Sequence, residues 1–442
     1  MSTVESYLRK RAITAPWRVE CGPLEAIECV VVIPALAERA GILKTLRSLA
    51  ANPRAELART MVVVVVNNRE PGVARPDDIA DNQQTLDLLR GLLHGPETGE
   101  GYDVIEAGLR LACIDASSPG LELPAKDGVG LARRIGLDAA LRLLHEAGAG
   151  DASVLLSTDA DTFVEPNYLE SVRRYFARPE AWAACVGYAH RLDGTDAEIA
   201  AVVAYETHLR CHVLGLQLAG SPYAYPAVGS TIVCSARAYA AAGGMNRRQA
   251  GEDFYFLQQL AKTGRVESIH ATTVHPAPRA SHRVPFGTGR WIQERLDDRQ
   301  ELMTYHPESY RILGDLLALV NARPEADPDS ILAELARISR PATEFLEKQK
   351  FAECWQKLHR NSPDSRAFLA QFHRWMDAFK TLKLLHCLRD NGFPQQPLWT
   401  AAKALLERAE KMPPAFPWQN LDTERKVQIA LLRHLRKLER LE

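Results

Sequence analysis

The stretch Ser153-Val154-Leu155-Leu156-Ser157-Thr158-Asp159-Ala160-Asp161 decides the reading of this chain. A short apolar run reads as a buried strand, and this one ends in two acids separated by a single residue. Carboxylates at the C-terminal end of a buried strand lie where open α/β sheets bind ligands. In an extended segment residues i and i+2 point to the same side, so Asp159 and Asp161 can face one divalent cation or one nucleotide. The plain alternative is an Asp turn or a helix cap after a strand.

Working toward the N-terminus, the same alternation of strand and helix recurs. Leu131 to Ala147 has Leu137, Leu141 and Leu144 on one helical face, and Leu109 to Ile114 reads as a strand. Met61 to Val66 is a β-branched run that ends abruptly at Asn67-Asn68. Cys29 to Ile33 is another, closed by Pro34 and followed by helical spacing at Ile42, Leu43, Leu46 and Leu49. Strands alternating with helices predict an α/β domain with a mostly parallel sheet flanked by helices. The stretch 71–108 is rich in Gly, Pro and acids, with one helix expected over Asn82 to Leu93, and reads as an insertion or mobile flap.

From about Asp297 β-branched runs give way to successive helical periods: Tyr310 to Leu319, Ile331 to Ile338, Phe345 to Leu358, Phe368 to Leu388 and Val427 to Leu441. The expected division is an N-terminal extension over 1–24, an α/β domain over 25–295 and an α-helical domain over 296–442.

The whole chain of 442 residues has 54 Lys and Arg against 55 Asp and Glu, for a formal charge of -1. That balance argues against a nucleic-acid binder relying on bulk positive charge. No apolar run reaches the roughly 18–20 residues a membrane helix needs. Met1 to Lys10 lacks the apolar segment of a secretory signal. The eight cysteines include no CxxC pair and read as reduced core residues, so a cytoplasmic address is expected. The last helix alternates leucines with Arg and Lys, a pattern that can lie on an anionic membrane as a peripheral contact or pack on the chain's own core.

Three further segments carry candidate chemistry. Gly251-Glu252-Asp253 opens a helical run over Phe254 to Lys262, after a Gly-rich approach, Gly243-Gly244-Met245, where backbone can come close to a ligand. A carboxylate there can act as general base on an acceptor hydroxyl; acids in a first helical turn also arise simply as partners of the macrodipole. Lys126-Asp127-Gly128-Val129-Gly130 with Ala132-Arg133 is a glycine-softened helix start that suits a diphosphate, or an ordinary loop-to-helix junction. His275 to Trp291 packs histidines, arginines and prolines into an aperiodic loop.

In order and spacing, these segments together resemble the family-2-type glycosyltransferases. The strand ending in Pro34 with Glu38 after it, Lys126 through Arg133 into the following helix, and Thr158-Asp159-Ala160-Asp161-Thr162 with Pro166-Asn167-Tyr168 match that family's nucleotide side. Val228-Gly229-Ser230, Gly243-Gly244-Met245 and Glu252-Asp253 match its acceptor side. The likeness spans about Cys29 to Trp291. It implies a GT-A fold, Rossmann-like in character, a nucleotide-sugar donor and a divalent metal, Mn or Mg. Residue by residue, it implies Asp161 as metal ligand with Asp159 beside it, and Asp253 as catalytic base with Glu252 next to it. It further implies Pro34, Glu38, Asn67, Lys126, Arg133 and Asp159 around the donor. A histidine after the acidic helix, His275 or His282, would complete the metal set, with His275 preferred.

The pattern departs from the family in places. Ala37 stands where an Asn usually precedes the acid, Asn67-Asn68 replaces acids at the base site, and Gly287 stands where the processive synthases place Gln before Arg290-Trp291. A hexosyltransferase-like, inverting and non-processive transfer is the expectation, to an acceptor that is a glycan, a lipid-linked sugar or a small molecule. Two alternatives are a catalytically inactive GT-A scaffold and a sugar-1-phosphate nucleotidyltransferase. Pro34 through Gly41 lacks the glycine-rich triphosphate loop that the second requires.

Overall fold

The computed structural model describes residues 2–94, 98–278 and 302–440. They divide into two units: residues up to Ile199 together with those from Ala227 to Pro278, and residues Ala200–Pro226 together with those from Leu302 on.

The first unit is built on a sheet of β1 (Val19–Cys21), β2 (Cys29–Ala35), β3 (Thr60–Asn67), β4 (Arg110–Ala116), β5 (Val154–Ser157), β6 (Phe163–Val164), β7 (Ala183–Tyr188), β8 (Ile232–Ser235) and β9 (Val266–His275). Their order is β1-β4-β3-β2-β5-β8-β7-β9-β6. β2, β3, β4, β5, β7 and β9 run one way, and β1, β6 and β8 run the other. The sheet is therefore mixed with mostly parallel strands, flanked by helices as the alternating pattern predicts. β2 and β3 are buried along their whole length, which is why they read as unbroken β-branched runs instead of alternating ones.

β2 has β3 on one side and β5 on the other, so the strand order reverses between β2 and β5. Such a reversal opens a crevice at the carboxyl ends of the two strands. Here the register widens it. β5 pairs with β2 only as far as Val32↔Ser157, while β2 continues to Ala35 against β3. The Thr158 N–H still donates to the Val32 carbonyl (3.1 Å), so the alternating backbone groups of Pro34 face the side β5 has left. Proline has no N–H to strand there.

The stretch 71–108, expected as an insertion or mobile flap, is instead the crossover from β3 to β4. Its helix Pro76–Leu93 buries Leu86, Leu89 and Leu92. Buried polar residues at Asn82 and Thr85 interrupt the apolar stripe and make the segment look looser than it is. The N-terminal residues are likewise part of this unit: helix Thr3–Lys10 buries Val4 and Tyr7, and β1 pairs with β4.

The second unit is helical. It contains most of helix Asp196–Leu218, whose apolar residues show no single helical stripe because it buries residues on several sides, and it continues through Pro307–Ala322, Pro328–Ile338, Arg340–Lys348, Phe351–Arg360, Ser365–Trp375, Ala378–Asp390, Leu398–Arg408 and Arg425–Arg440. Two expected long helices are each broken. Lys350 takes a left-handed turn (φ 56°) between Arg340–Lys348 and Phe351–Arg360. Asp377 caps Ala378–Asp390 by accepting from the Lys380 N–H at 2.9 Å.

In the C-terminal helix, Val427, Leu431 and Leu435 are part of the buried core of this unit. The apolar stripe that suggested a peripheral membrane contact is thus covered by the chain's own core. Beside it Glu206, fully buried, accepts from Arg210 (2.9 Å) and from Arg436 (2.7 and 2.6 Å), and Arg210 also pairs with Glu439. No described helix is long and apolar enough to cross a membrane.

Candidate active site

The crevice between β2 and β5 receives Asp159 and Asp161 directly from β5. The residues form a turn, with the Thr162 N–H donating to the Asp159 carbonyl at 3.1 Å. This corrects the expectation of an extended segment with both acids on one face. The turn is held from the β2 side, where the Thr45 hydroxyl donates to the Ala160 carbonyl at 2.7 Å. Glu38 is buried at the turn into the same helix, Ile42–Ala50, and its carbonyl accepts from the Gly41 and Ile42 N–H groups (3.0 and 2.8 Å).

Arg133 brings the two halves of the site together. It lies in helix Val129–Glu146 with its side chain only 5% exposed. One end of its guanidinium pairs with Asp159 and the other with Glu252, itself 4% exposed. Acids that stand 93 positions apart in the chain, 159 and 252, thus share one cation. Gly229 makes room for it, since a Cβ there would stand 2.4 Å from an Arg133 nitrogen. Arg133, which the resemblance puts at the nucleotide, pairs here with carboxylates on both sides of the site.

Glu252 and Asp253 open helix Glu252–Thr263 behind Gly251, which is left-handed at φ 69°. Their helix N-terminus favours negative charge. Burial nevertheless dominates: it pushes the Glu252 carboxyl up to about 7 against the opposing pull of Arg133. Asp253 is also pushed up, first by burial, again with Arg133 opposing. The Asp253 carboxylate accepts from the Phe254 N–H at 2.7 Å. Two carboxylates therefore pair with one guanidinium, and the charge of Asp253 adds to the field on it.

The remaining candidates have other surroundings. Asn67 donates its amide to the carbonyls of Ala35 and Val65, both at 3.1 Å, so it secures the end of β3 against β2. Lys126 is exposed before helix Val129–Glu146. The glycine-softened start of that helix is packed by the chain itself: a Cβ on Gly130 would stand 2.3 Å from the Arg248 carbonyl oxygen. His275 ends β9, with Nδ1 3.1 Å from the Ala189 carbonyl and Nε2 2.8 Å from the Glu165 carboxylate. Among the described residues no group of three or more His, Cys, Asp and Glu side chains is placed to hold a metal ion. His282 and the rest of the loop from 279 to Trp291 lie outside the described residues.

Arg191 was not singled out in the sequence. It follows β7, its guanidinium lies 3.9 Å from the centre of the Phe163 ring, and it reaches the Asp161 carbonyl at 3.5 Å. Nothing in its local sequence marks it, because β7 comes beside the Asp161 turn only through β9, which pairs with β6 just after that turn.

No family model matches this chain, and no curated protein matches it. Solved structures do. Staphylococcus aureus TarS residues 1–349 in complex with UDP-GlcNAc matches with a TM-score of 0.36 and 13% identity, covering 94% of this chain and 92% of that one. The mannosyltransferase PcManGT from Pyrobaculum calidifontis, in complex with GDP-Man and Mn2+, matches at 0.33 and 14%, covering 99% and 92%. Glucosyl-3-phosphoglycerate synthase from Mycobacterium tuberculosis, in complex with Mn2+, UDP and phosphoglyceric acid, matches at 0.32 and 15%, covering 69% and 87%. Overlap of this depth carries no argument about activity, which rests on the residues.

Proposed function

We propose that this chain is a GT-A-type glycosyltransferase that moves a sugar from a nucleotide-diphosphate sugar to an acceptor hydroxyl. The observation that carries the reading is the meeting of Asp159 and Glu252 on Arg133, at the carboxyl ends of β2 and β5. It joins the acids read as the donor side to those read as the acceptor side, in the crevice where such sheets bind ligands.

In this reading Asp253 takes the acceptor proton. Its neighbour Glu252 is engaged by Arg133, and burial raises the affinity of the Asp253 carboxyl for a proton. The acceptor oxygen forms a bond to the anomeric carbon as the bond from that carbon to the diphosphate breaks. The electron pair leaves with the nucleoside diphosphate, and the hydroxyl proton goes to Asp253. A base on the face opposite the leaving group favours a single displacement with inversion, one sugar at a time.

Hard carboxylate oxygens with a diphosphate are the donor set Mg or Mn prefers, and such ions are commonly held by one or two carboxylates together with substrate phosphates. Asp161 and Asp159 fit that role, and His275 is already engaged by Glu165. A bound ion would offset charge on the departing diphosphate. Glu38 and Pro34 border the crevice on the β2 side.

The test is a thermal-shift titration with UDP, GDP, ADP, CMP and dTDP, each with and without Mn2+. One diphosphate is expected to stabilise the chain in a metal-dependent way, and Asp161→Ala to abolish the effect. Silence from the whole panel in a folded sample would replace this reading with that of an inactive scaffold. Proton NMR of the anomeric position would reject inversion if the configuration were retained.

A further inference from the structure

The Gly-rich approach to Glu252 is filled by the chain itself. A Cβ on Gly244 would stand 1.9 Å from the Tyr7 hydroxyl oxygen, so the phenol of the N-terminal helix rests directly on that backbone. Only glycine can stand there, both for space and because Gly244 is left-handed at φ 79°. Beneath it lies Asp138, fully buried in helix Val129–Glu146. Its Oδ1 accepts from the Tyr7 and Tyr239 hydroxyls, both at 2.7 Å. Its Oδ2 accepts from the Ile13 N–H at 2.8 Å and faces Arg134 at 3.4 Å.

From these phenols two routes lead to the acidic helix. The Tyr239 carbonyl also accepts from the Gly244 N–H at 3.0 Å, which holds the first residue of the segment 244–251. Within that segment the Asn246 amide reaches past its far end to donate to the Glu252 carbonyl at 2.7 Å. The second route is packing: the Tyr7 and Tyr239 rings meet edge-on at 5.5 Å, and Tyr239 meets Phe256, one turn past Glu252, at 5.7 Å. A buried carboxylate with every contact supplied by phenols, a backbone N–H and an arginine fixes its neighbours tightly, because any displaced partner leaves a buried acceptor short.

We propose that residues 2–13 are a positioning element for the acidic helix: through Tyr7, resting on Gly244 and bonded to Asp138, they set where Glu252 and Asp253 stand relative to Arg133. Tyr7, Asp138 and Tyr239 are positioning residues in this scheme and touch no substrate. The reaction they serve is the one proposed above, but the mechanical claim can be read without it.

Tyr7→Phe keeps the ring and removes only the hydroxyl. Hydrogen exchange on the full chain should show faster exchange of the amides from Gly244 to Phe256, with β2, β3 and β4 unchanged. With whichever of UDP-glucose, UDP-N-acetylglucosamine and GDP-mannose the unaltered chain hydrolyses in Mn2+, kcat should fall about tenfold or more. Binding of the matching nucleoside diphosphate should stay within about twofold, because the donor acids are not displaced. Unchanged exchange in the 244–256 segment, or equal loosening of the whole sheet, would overturn the proposal. So would an unchanged kcat in a variant whose melting temperature falls. If the unaltered chain neither binds a diphosphate nor hydrolyses a nucleotide sugar, the glycosyltransferase reading fails, and the exchange result alone decides the positioning role. Asp138→Asn serves as the second variant and should reproduce the same local pattern.

Discussion

Both units bury charge, but they do so differently. In the helical unit Glu206, Arg210, Arg436 and Glu439 form a cluster of two acids and two bases. In the sheet unit Asp159 and Glu252 share Arg133 alone, with the charge of Asp253 added nearby. A balanced cluster satisfies itself and locks helices together. An unbalanced one carries a standing electrostatic cost that folding alone does not explain, and perturbed carboxylates in a crevice are a mark of function. The difference separates a self-satisfied ion network from a cluster whose acids outnumber its base.

The sharpest way to break this contrast is Asp253→Asn. Loss of a general base should lower turnover by about 10²–10⁴-fold while metal-dependent diphosphate binding persists. A variant that keeps its rate would move the base elsewhere. Next in size, Arg133→Met leaves the buried Glu252 and the partly exposed Asp159 without their cation and should cost about 3–5 kcal/mol in urea unfolding of the sheet unit. Gly229→Ala, which puts a methyl on the same guanidinium, should destabilise in the same direction.

In the helical unit, Leu431→Ala should cost about 2–5 kcal/mol, since that side chain is fully buried. Exposed Arg433→Ala should stay within about 0.5 kcal/mol. Equal effects from the two would reopen the membrane-facing reading of the last helix.

The smallest effect is a divergence with pH. His208 is pushed down to about 4 by burial. A depressed histidine pKa means the unfolded chain binds more protons below about 6.5, so this contribution to stability is lost as pH falls from there toward 4. Glu252, raised to about 7, acts in the opposite sense: the stability it favours is present at low pH and fades as pH rises from its unfolded value of about 4.3 through about 7. Urea midpoints followed by Trp355 fluorescence for the helical unit and by Trp182 for the sheet unit should therefore respond to pH with opposite slopes. Parallel slopes would mean that the buried groups do not govern either unit.

Much of the site was legible because local rules carried it. Asp159, Asp161, Glu252 and Asp253 stand at a strand end and a helix start, positions that apolar periodicity locates from a single chain. The crossover helix Pro76–Leu93 was underread because Asn82, at its centre, is buried for a reason outside its own helix: its amide group serves the Asn67 carbonyl, the Asn68 side chain and the Ala37 N–H. Tyr7 gave no signal for a similar reason, since its partners Asp138 and Gly244 lie far along the chain.

The amino-acid sequence by itself determined the alternation of strands and helices, the change to mainly helical character near residue 300 and the placement of acids at strand and helix ends. These depend on side-chain periodicity and backbone preference over a few neighbouring residues. Only the tertiary structure decided that Arg133 holds the acids together, that Gly130 and Gly244 receive the chain's own atoms, and that the last helix buries its leucines. Each of those outcomes is a contact between segments distant in sequence, set by how the sheet orders its strands and not by any local pattern.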